Sequence, residues 1–286
     1  MPLAGLFNGL RVLSLESRRA VEIERLIRAQ GGVPLVAPCM REVPIQDNRE
    51  ALAFAERLFC GEFDMMILLT GVGTRLLAKV IETRRPPGSF ADALRKITVV
   101  ARGSKPIAVL REWGVPVTVA VPEPNTWREI LAAIESRAEK ADGRRIAIQE
   151  YGRPSVELID GLRVRGAEVT RVPVYQWDLP EDTGPLREAI RGLCENRFDV
   201  AMFTASVQVV HLLRIAAEMG CEDAARRALG RMMIASVGPA TSETLAELGI
   251  AADFEPSHPK MGFLVNETAA NAARILAAKD GPAVNQ

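Results

Sequence analysis

Short apolar runs alternate along this chain with segments whose apolar positions recur three and four residues apart. In the first half the runs are "LRVLSLES", "VPLVAPCM", "FDMMILL", "ITVVA" and "VPVTVAV". In the second half they are "RRIAIQEY", "EVTRVPVYQW", "FDVAMFT", "MMIASV" and "IAADFE". Their lengths predict strands. Between them "AVEIERLIRAQGG", "GTRLLAKVIE", "SVELIDGLRVRGA" and "SVQVVHLLRIAAEM" carry one apolar face each and predict amphipathic helices, with Gly32 and Gly166 as C-terminal stops. Two further helices start at the turns "GSKP" and "GPAT". Strands alternating with helices predict parallel sheets covered on both faces, here two doubly wound, flavodoxin-like α/β domains.

The chain repeats itself. Phe63-Asp64 and Phe198-Asp199, Gly103 and Gly238, Leu110 and Leu245, Gly114 and Gly249, and Pro124 and Pro259 are all 135 positions apart. Gly9 and Gly143, and Gly32 and Gly166, differ by 134, which places one inserted residue between Gly166 and Phe198. A register held over this length indicates a tandem duplication, roughly 9–140 and 143–275.

Composition narrows the function classes. The chain has 286 residues, with 36 Lys and Arg balanced by 36 Asp and Glu. That balance argues against a broad nucleic-acid or membrane surface. No apolar run reaches a membrane-spanning length, and the first residues lack the pattern of a secretory signal. Cys39, Cys60, Cys194 and Cys221 are scattered without a CxxC pair, which suits free thiols in the cytoplasm. The two histidines, His211 and His258, are too few for a His-based metal site. His211 lies in an apolar helical run, as a packed histidine does; His258 lies in a turn.

In open parallel sheets ligands bind beyond the carboxyl ends of the strands. Three matched pairs of loops leave those ends. They are Glu16–Arg19 with Glu150-Tyr151-Gly152-Arg153, Thr70-Gly71-Val72-Gly73 with Ala205-Ser206-Val207-Gln208, and Arg102-Gly103-Ser104-Lys105 with Gly238-Pro239-Ala240-Thr241. All place small residues and unpaired backbone N–H groups at helix starts, where anions are well received. For any one loop a tight turn accounts for the Gly and Pro. Three pairs together favour a cleft for a large ligand with several carboxylates. Neither a complete GxGxxG nor a GK[ST] phosphate loop is present. No Ser/His/Asp set can be assembled, and Ser17, Ser104 and Ser206 suit caps or hydrogen-bond donors better than nucleophiles. Tyr175, one of two tyrosines, lies where the chain crosses between units. Its phenol is either a neutral proton donor or an amphipathic side chain at a joint.

The ordered set "FDVAMFT", "VGPATSETLAELGI" and "EPSHPKMGFLV", with "VTRVPVYQW" before it, resembles the uroporphyrinogen-III synthases. "LLTGVGTRLL", "VVARGSKPIAVL" and "IQEYGRPSVEL" look like a bacterial subset of that family, and the likeness runs from about Leu10 to Ala277. The resemblance implies a lyase of tetrapyrrole biosynthesis without cofactor or metal. Such an enzyme closes hydroxymethylbilane, a polycarboxylate linear tetrapyrrole, into uroporphyrinogen III with loss of water and inversion of ring D. It also implies a cytoplasmic monomer, with no nucleic acid or membrane partner, receiving its substrate from a hydroxymethylbilane synthase.

By resemblance Tyr175 matches a tyrosine that assists departure of the hydroxyl as a general acid, while Thr241 and Ser206 match side chains that donate hydrogen bonds to carboxylates. Arg18, Arg102 and Arg153 are candidates for charge-assisted contacts, with surface salt bridges as the competing role. TGVG stands where many members have a Thr-Ser-x-Asn turn, and GSKP lacks the threonine of GPAT, so backbone contacts are the firmer expectation there. The family's domains, carried over, are 1–38 with 177–278, and 43–172, joined by a two-stranded β linker at 39–42 and 173–176, with a flexible tail at 279–286. A two-lobed sensor that binds an anionic tetrapyrrole-like ligand without turnover is the alternative.

Overall fold

The computed structural model describes residues 6–45, 47–136, 140–150, 152 and 154–280. The first copy forms β1 (Arg11–Ser14), α1 (Ala20–Ala29), β2 (Val33–Val36), β3 (Arg41–Pro44), α2 (Arg49–Phe59), β4 (Met65–Leu68), α3 (Gly71–Ile81), α4 (Ser89–Leu94), β5 (Thr98–Arg102), α5 (Ser104–Glu112), β6 (Val119–Val121) and α6 (Trp127–Glu135). The second forms β7 (Arg145–Gln149), α7 (Val156–Val164), β8 (Glu168–Val172), β9 (Tyr175–Asp178), α8 (Gly184–Cys194), β10 (Val200–Phe203), α9 (Ser206–Glu218), α10 (Glu222–Arg231), β11 (Met233–Ser236), α11 (Pro239–Glu247) and α12 (Met261–Asp280).

Two compact units result: Met1–Arg41 with Asp178–Gln286, and Glu42–Trp177. The first holds a sheet of order β11-β10-β1-β2, the second a sheet of order β6-β5-β4-β7-β8. In the first sheet β1 pairs in parallel with β10 and β2, and β10 with β11; in the second β4 pairs in parallel with β5 and β7, β5 with β6, and β7 with β8. β3 and β9, where the chain passes between the units, pair with each other.

The copies therefore exchange strands. β1 and β2 of the first copy join β10 and β11 of the second, and β7 and β8 of the second join β4, β5 and β6 of the first. In chain order the first sheet runs 2-1-3-4, the flavodoxin-like order, and the second runs 3-2-1-4-5. The two are one spatial arrangement with the chain cut at different places. In each sheet the winding reverses between the two central strands, β1 and β10 or β7 and β4, and that is where a ligand crevice forms.

Alternation along β4 illustrates the double covering. Met66 and Leu68 face one apolar cluster with Phe54, Leu77 and Leu94, whereas Met65 and Ile67 face another with Ile130, Leu158 and Leu162. The repeated Phe-Asp also gains a reason. Asp64 accepts the Arg145 backbone N–H (2.9 Å) and its guanidinium (2.8 and 3.1 Å). Asp199 accepts the same set from Arg11 (2.8, 3.0 and 2.5 Å). Each aspartate locks the amino ends of its two central strands in register.

Four expectations change. The run 250–255 is not a strand; it is reduced to a single bridge between Phe254 and Ala235. α12 extends through Lys279 and Asp280, so the helix takes two residues assigned to the tail. The positive φ that ends α1 belongs to Gly31 (φ 75°), and Gly32 follows it, donating to Ile27 O at 3.0 Å. Its counterpart is Gly166 (φ 85°), so the offset is already 135 there. The inserted residue accordingly lies before Gly166, between β7 and the end of α7, not after it.

Candidate functional site

In the second unit the loops leaving β4, β5 and β7 meet through close contacts. Thr70 is the N-cap of α3, its hydroxyl accepting the Gly73 N–H at 3.0 Å. Gln149, fully buried at the end of β7, accepts the Thr70 N–H through Oε1 at 3.2 Å and donates Nε2 to the Glu150 carbonyl. The Tyr175 hydroxyl lies 3.2 Å from Thr70 Oγ1. Its ring is 2% exposed and packs in the cluster with Met66, Leu68 and Leu77. Tyr175 is therefore a core residue whose phenol reaches the start of α3, rather than a solvated side chain at a joint.

Close approach explains the glycines. A Cβ on Gly71 would lie 2.9 Å from the Lys105 carbonyl oxygen, so α3 abuts the start of α5 there. A Cβ on Gly152 (φ 79°) would come within 2.4 Å of the Trp177 ring. Gly152 also bridges to Gln176. At the start of α5, Arg102 donates Nε to the Asn125 carbonyl at 2.6 Å, and Gly103 (φ 77°) turns beneath the Asn125 carboxamide. Ser104 is the exposed first residue of α5. Glu150, 3% exposed, is held by Arg171 in a two-pronged pair (2.7 and 3.0 Å).

In the first unit Glu16 organises the loop after β1. One oxygen accepts the Arg18 and Arg19 N–H groups at 2.9 and 3.0 Å, and the other accepts the Thr204 hydroxyl. Gln208, 1% exposed on α9, accepts the Thr204 and Ala205 N–H groups at 2.8 and 3.3 Å and donates to Leu15 O at 3.2 Å. Ser206 opens α9 and Ala205 is its N-cap. Ser17 accepts the Cys39 and Met40 N–H groups, both at 3.1 Å, and so pins the chain ahead of β3.

The turn before α11 is stapled by Ser236, whose hydroxyl donates to the Gly238 carbonyl (2.9 Å) and accepts its N–H (3.3 Å). Pro239 takes the first helical position and Ala240 follows. Thr241 does not cap this helix: Gly238 is the N-cap, without a side-chain cap bond, and Thr241 is 4% exposed within the first turn. A Cβ on Gly238 would meet Pro259 at 3.3 Å.

The structure thus joins Thr70, Gly71, Gly73 and Tyr175 directly. It sets Val72 on the exposed side of α3, and Gly152, Arg102, Gly103 and Ser104 in neighbouring loops of the same unit. Arg18, Ala205, Ser206, Gly238, Pro239, Ala240 and Thr241 belong to the first unit. Tyr151 and Arg153 lie outside the described residues. Sequence reading missed Gln149, Gln208, Glu16, Glu150 and Asn125 as organisers of these loops. The signal for Gln149 is a glutamine ending an apolar strand.

His211 is a packed histidine: its Nδ1 is 2.8 Å from the Cys39 carbonyl, and burial lowers its pKa. His258 is exposed beside the Ser257 hydroxyl. Among the described residues no group of three or more His, Cys, Asp and Glu is placed to hold a metal ion, and no helix is long and apolar enough to cross a membrane.

A family model described as "Uroporphyrinogen-III synthase HemD" matches residues 21–266. The chain belongs to the uroporphyrinogen-III synthase family. It is 32% identical over 237 residues to a Methanothermobacter thermautotrophicus protein named "Putative uroporphyrinogen-III synthase", covering 82% of this chain and 87% of that one. It is 28% identical over 265 residues to a Bacillus subtilis protein named "Uncharacterized protein YjjA", covering 91% and 95%. The fold is similar to that of a mutant Thermus thermophilus uroporphyrinogen III synthase (TM-score 0.69, 24% identity, 94% of this chain and 100% of that chain). A wild-type crystal form from the same organism matches with a TM-score of 0.52 at 25% identity over 96% and 100%.

Proposed function

We propose that this chain is a uroporphyrinogen-III synthase, a lyase that converts hydroxymethylbilane to uroporphyrinogen III with loss of water and inversion of ring D. The observation that carries this reading is the make-up of the loops at the carboxyl ends of both sheets. They offer first-turn N–H groups, their carboxylates Glu16 and Glu150 are engaged by partners within the fold, and the phenol of Tyr175 reaches into one of them through Thr70. Such loops suit a substrate with a carboxylate-bearing pair of side chains on every pyrrole. They do not suit a reaction needing a dense acid–base set.

On this reading Tyr175 donates its proton to the departing hydroxyl, leaving a reactive azafulvene. Thr70 Oγ1, which already accepts the Gly73 N–H, turns its own hydrogen to the phenolic oxygen and supports the charge that develops there. The loops hold the propionates and acetates, with the Ser206 and Thr241 hydroxyls and Arg18, Arg102 and Arg153 as further contacts. Restraint of the flexible bilane makes closure intramolecular. Without it the unrearranged isomer forms spontaneously. The protein works as a cytoplasmic monomer without cofactor or metal, taking substrate handed over by a hydroxymethylbilane synthase.

One observation favours a second reading, a sensor that binds an anionic tetrapyrrole without turnover: the single candidate acid is 2% exposed. Complementation separates the two. Expression in a bacterium that lacks its own synthase restores haem-dependent growth on the synthase reading, and fails to do so on the sensor reading.

A further inference from the structure

Two of the four cysteines stand together in the first unit. Cys194 is the last residue of α8, and Cys221 is the N-cap of α10. They are 27 positions apart in the chain, yet the Cys194 thiol donates to the Cys221 carbonyl at 3.9 Å. The Cys221 thiol is also a hydrogen-bond partner of the Cys194 thiol. Both residues are half-buried and both thiols are free, so solvent reaches a dithiol at this place, whereas Cys39 is buried.

The place lies away from the loops at the carboxyl ends of the strands. α8 leads into the amino end of β10, and α9 runs back from the carboxyl end of β10 to the same side. The pair therefore brackets β10 and α9, with α8 packed against both α9 and α10.

The duplication shows that this junction is tied in both units. Position 194 corresponds to Phe59, the last residue of α2, and positions 220 and 221 correspond to Arg85 and Pro86. In the second unit the Arg85 guanidinium lies 4.7 Å over the Phe59 ring and donates to Glu56 at 2.8 Å. A cation–π contact thus joins the end of α2 to the segment after α3. In the first unit Gly220 cannot make that contact, and two thiols occupy the junction instead.

We propose that Cys194 and Cys221 are a reversible oxidation site, which takes a peroxide as its two-electron oxidant and closes a disulfide that clasps β10 and α9. Burial and the Cys221 neighbour push the Cys194 thiol up to about 11, Glu195 adds to this and Arg227 opposes it. Cys194 therefore stays protonated at neutral pH and reacts second. The Cys221 thiolate attacks one peroxide oxygen. The O–O bond breaks, and the departing hydroxide takes up the proton that the Cys221 thiol lost, leaving a sulfenic acid on Cys221. The Cys194 sulfur then attacks the Cys221 sulfur. The S–O bond breaks, and this second hydroxide takes the Cys194 proton. Two thiols and one hydrogen peroxide give one disulfide and two waters, and a thiol reductant reverses the change.

The test uses the full chain carrying Cys60→Ser, which removes the exposed thiol. Hydrogen peroxide is added, and peptide mapping without reduction is paired with calorimetry before and after dithiothreitol. The expected result is a peptide pair linked through Cys194 and Cys221. Because the bond closes a loop of this length, it raises Tm by about 5–10 °C, and dithiothreitol returns Tm to its starting value. Cys194→Ser abolishes both the linked pair and the Tm rise. In that variant peroxide with dimedone labels Cys221, whereas in Cys221→Ser it leaves Cys194 unlabelled. If either serine variant does not fold, the alanine variant at the same position is measured in its place.

Oxidised Cys221 without a linked pair, or two thiols that survive peroxide unchanged, overturns the oxidation site. A linked pair with no reversible rise in Tm overturns the clasp. Dimedone on Cys194 rather than Cys221 overturns the assigned order of attack.

Discussion

Replacing Tyr175 by Phe removes one oxygen from a ring that is otherwise locked in place. The ring is 2% exposed and packs with Met66, Leu68 and Leu77, contacts that Phe preserves. Loss of the 3.2 Å bond to Thr70 Oγ1 costs ~1 kcal/mol. Thr70 keeps the Gly73 N–H as a partner, so no polar atom is stranded there without a bond. A loss of that size lowers Tm by about 2–4 °C for a domain of ordinary size. Loss of a general acid costs far more on the chemical step, about a hundredfold to ten-thousandfold. The variant should therefore fold and melt almost as wild type while kcat for hydroxymethylbilane falls at least a hundredfold. Calorimetry paired with single-turnover kinetics separates the two quantities. A variant within a few-fold of wild-type kcat, at unchanged stability, refutes the role of Tyr175 as proton donor and leaves it as a packing residue.

Three further outcomes test the structure around the site. Arg145 holds the Asp64 carboxyl down at about 2 from its ordinary 3.8, so the pair stabilises the fold above pH 4 and its contribution is lost as the pH falls towards 2. With Arg145 40% exposed, solvent screening leaves ~1 kcal/mol of this. The urea midpoint gap between wild type and Asp64→Asn should be present at pH 7 and close between pH 4 and 2; a gap independent of pH contradicts the linkage. Gly152→Val combines a positive φ with a clash on the Trp177 ring and should cost ~2 kcal/mol or more with altered tryptophan emission; an unchanged unfolding midpoint contradicts that packing. Burial, then the neighbouring Cys221, push the Cys194 thiol up to about 11, and burial raises Cys39 further. Iodoacetamide at pH 8 should thus label exposed Cys60 well before Cys194 or Cys39, and mass mapping that finds Cys39 labelled first contradicts this order.

Much of the fold was legible because both faces of each sheet are covered. Runs such as "FDMMILL" and "FDVAMFT" are apolar throughout, and helices such as "AVEIERLIRAQGG" carry a clear stripe. The duplication was legible because Gly and Phe-Asp mark fixed backbone and register positions. Strand exchange was not readable from periodicity, since each copy has the same order of elements whichever sheet its strands join. It entered only through the family resemblance. The run 250–255 misled because its apolar residues pack at the sheet margin without a ladder, leaving one bridge at Phe254.

At the site, Thr70, Gly71 and Gly73 were readable as a helix start. The reason for Gly73 was not, because it depends on Gln149, 76 positions away in the chain. The complementary change, Gln208 opposite Gly73 and Leu15 opposite Gln149, is visible once the copies are aligned. It carries meaning only when both are known to fill one place. Burial of Tyr175 was hidden too, since "VPVYQW" alternates like a linker strand and does not tell which face meets the core.

The central claim is that this chain directs hydroxymethylbilane to the rearranged macrocycle. Purified protein is mixed with enzymatically generated hydroxymethylbilane, the products are oxidised, and the isomers are separated by chromatography against a protein-free control. The account predicts uroporphyrin III as the dominant product at catalytic protein concentrations. Uroporphyrin I alone, in the same yield as the control, would contradict it.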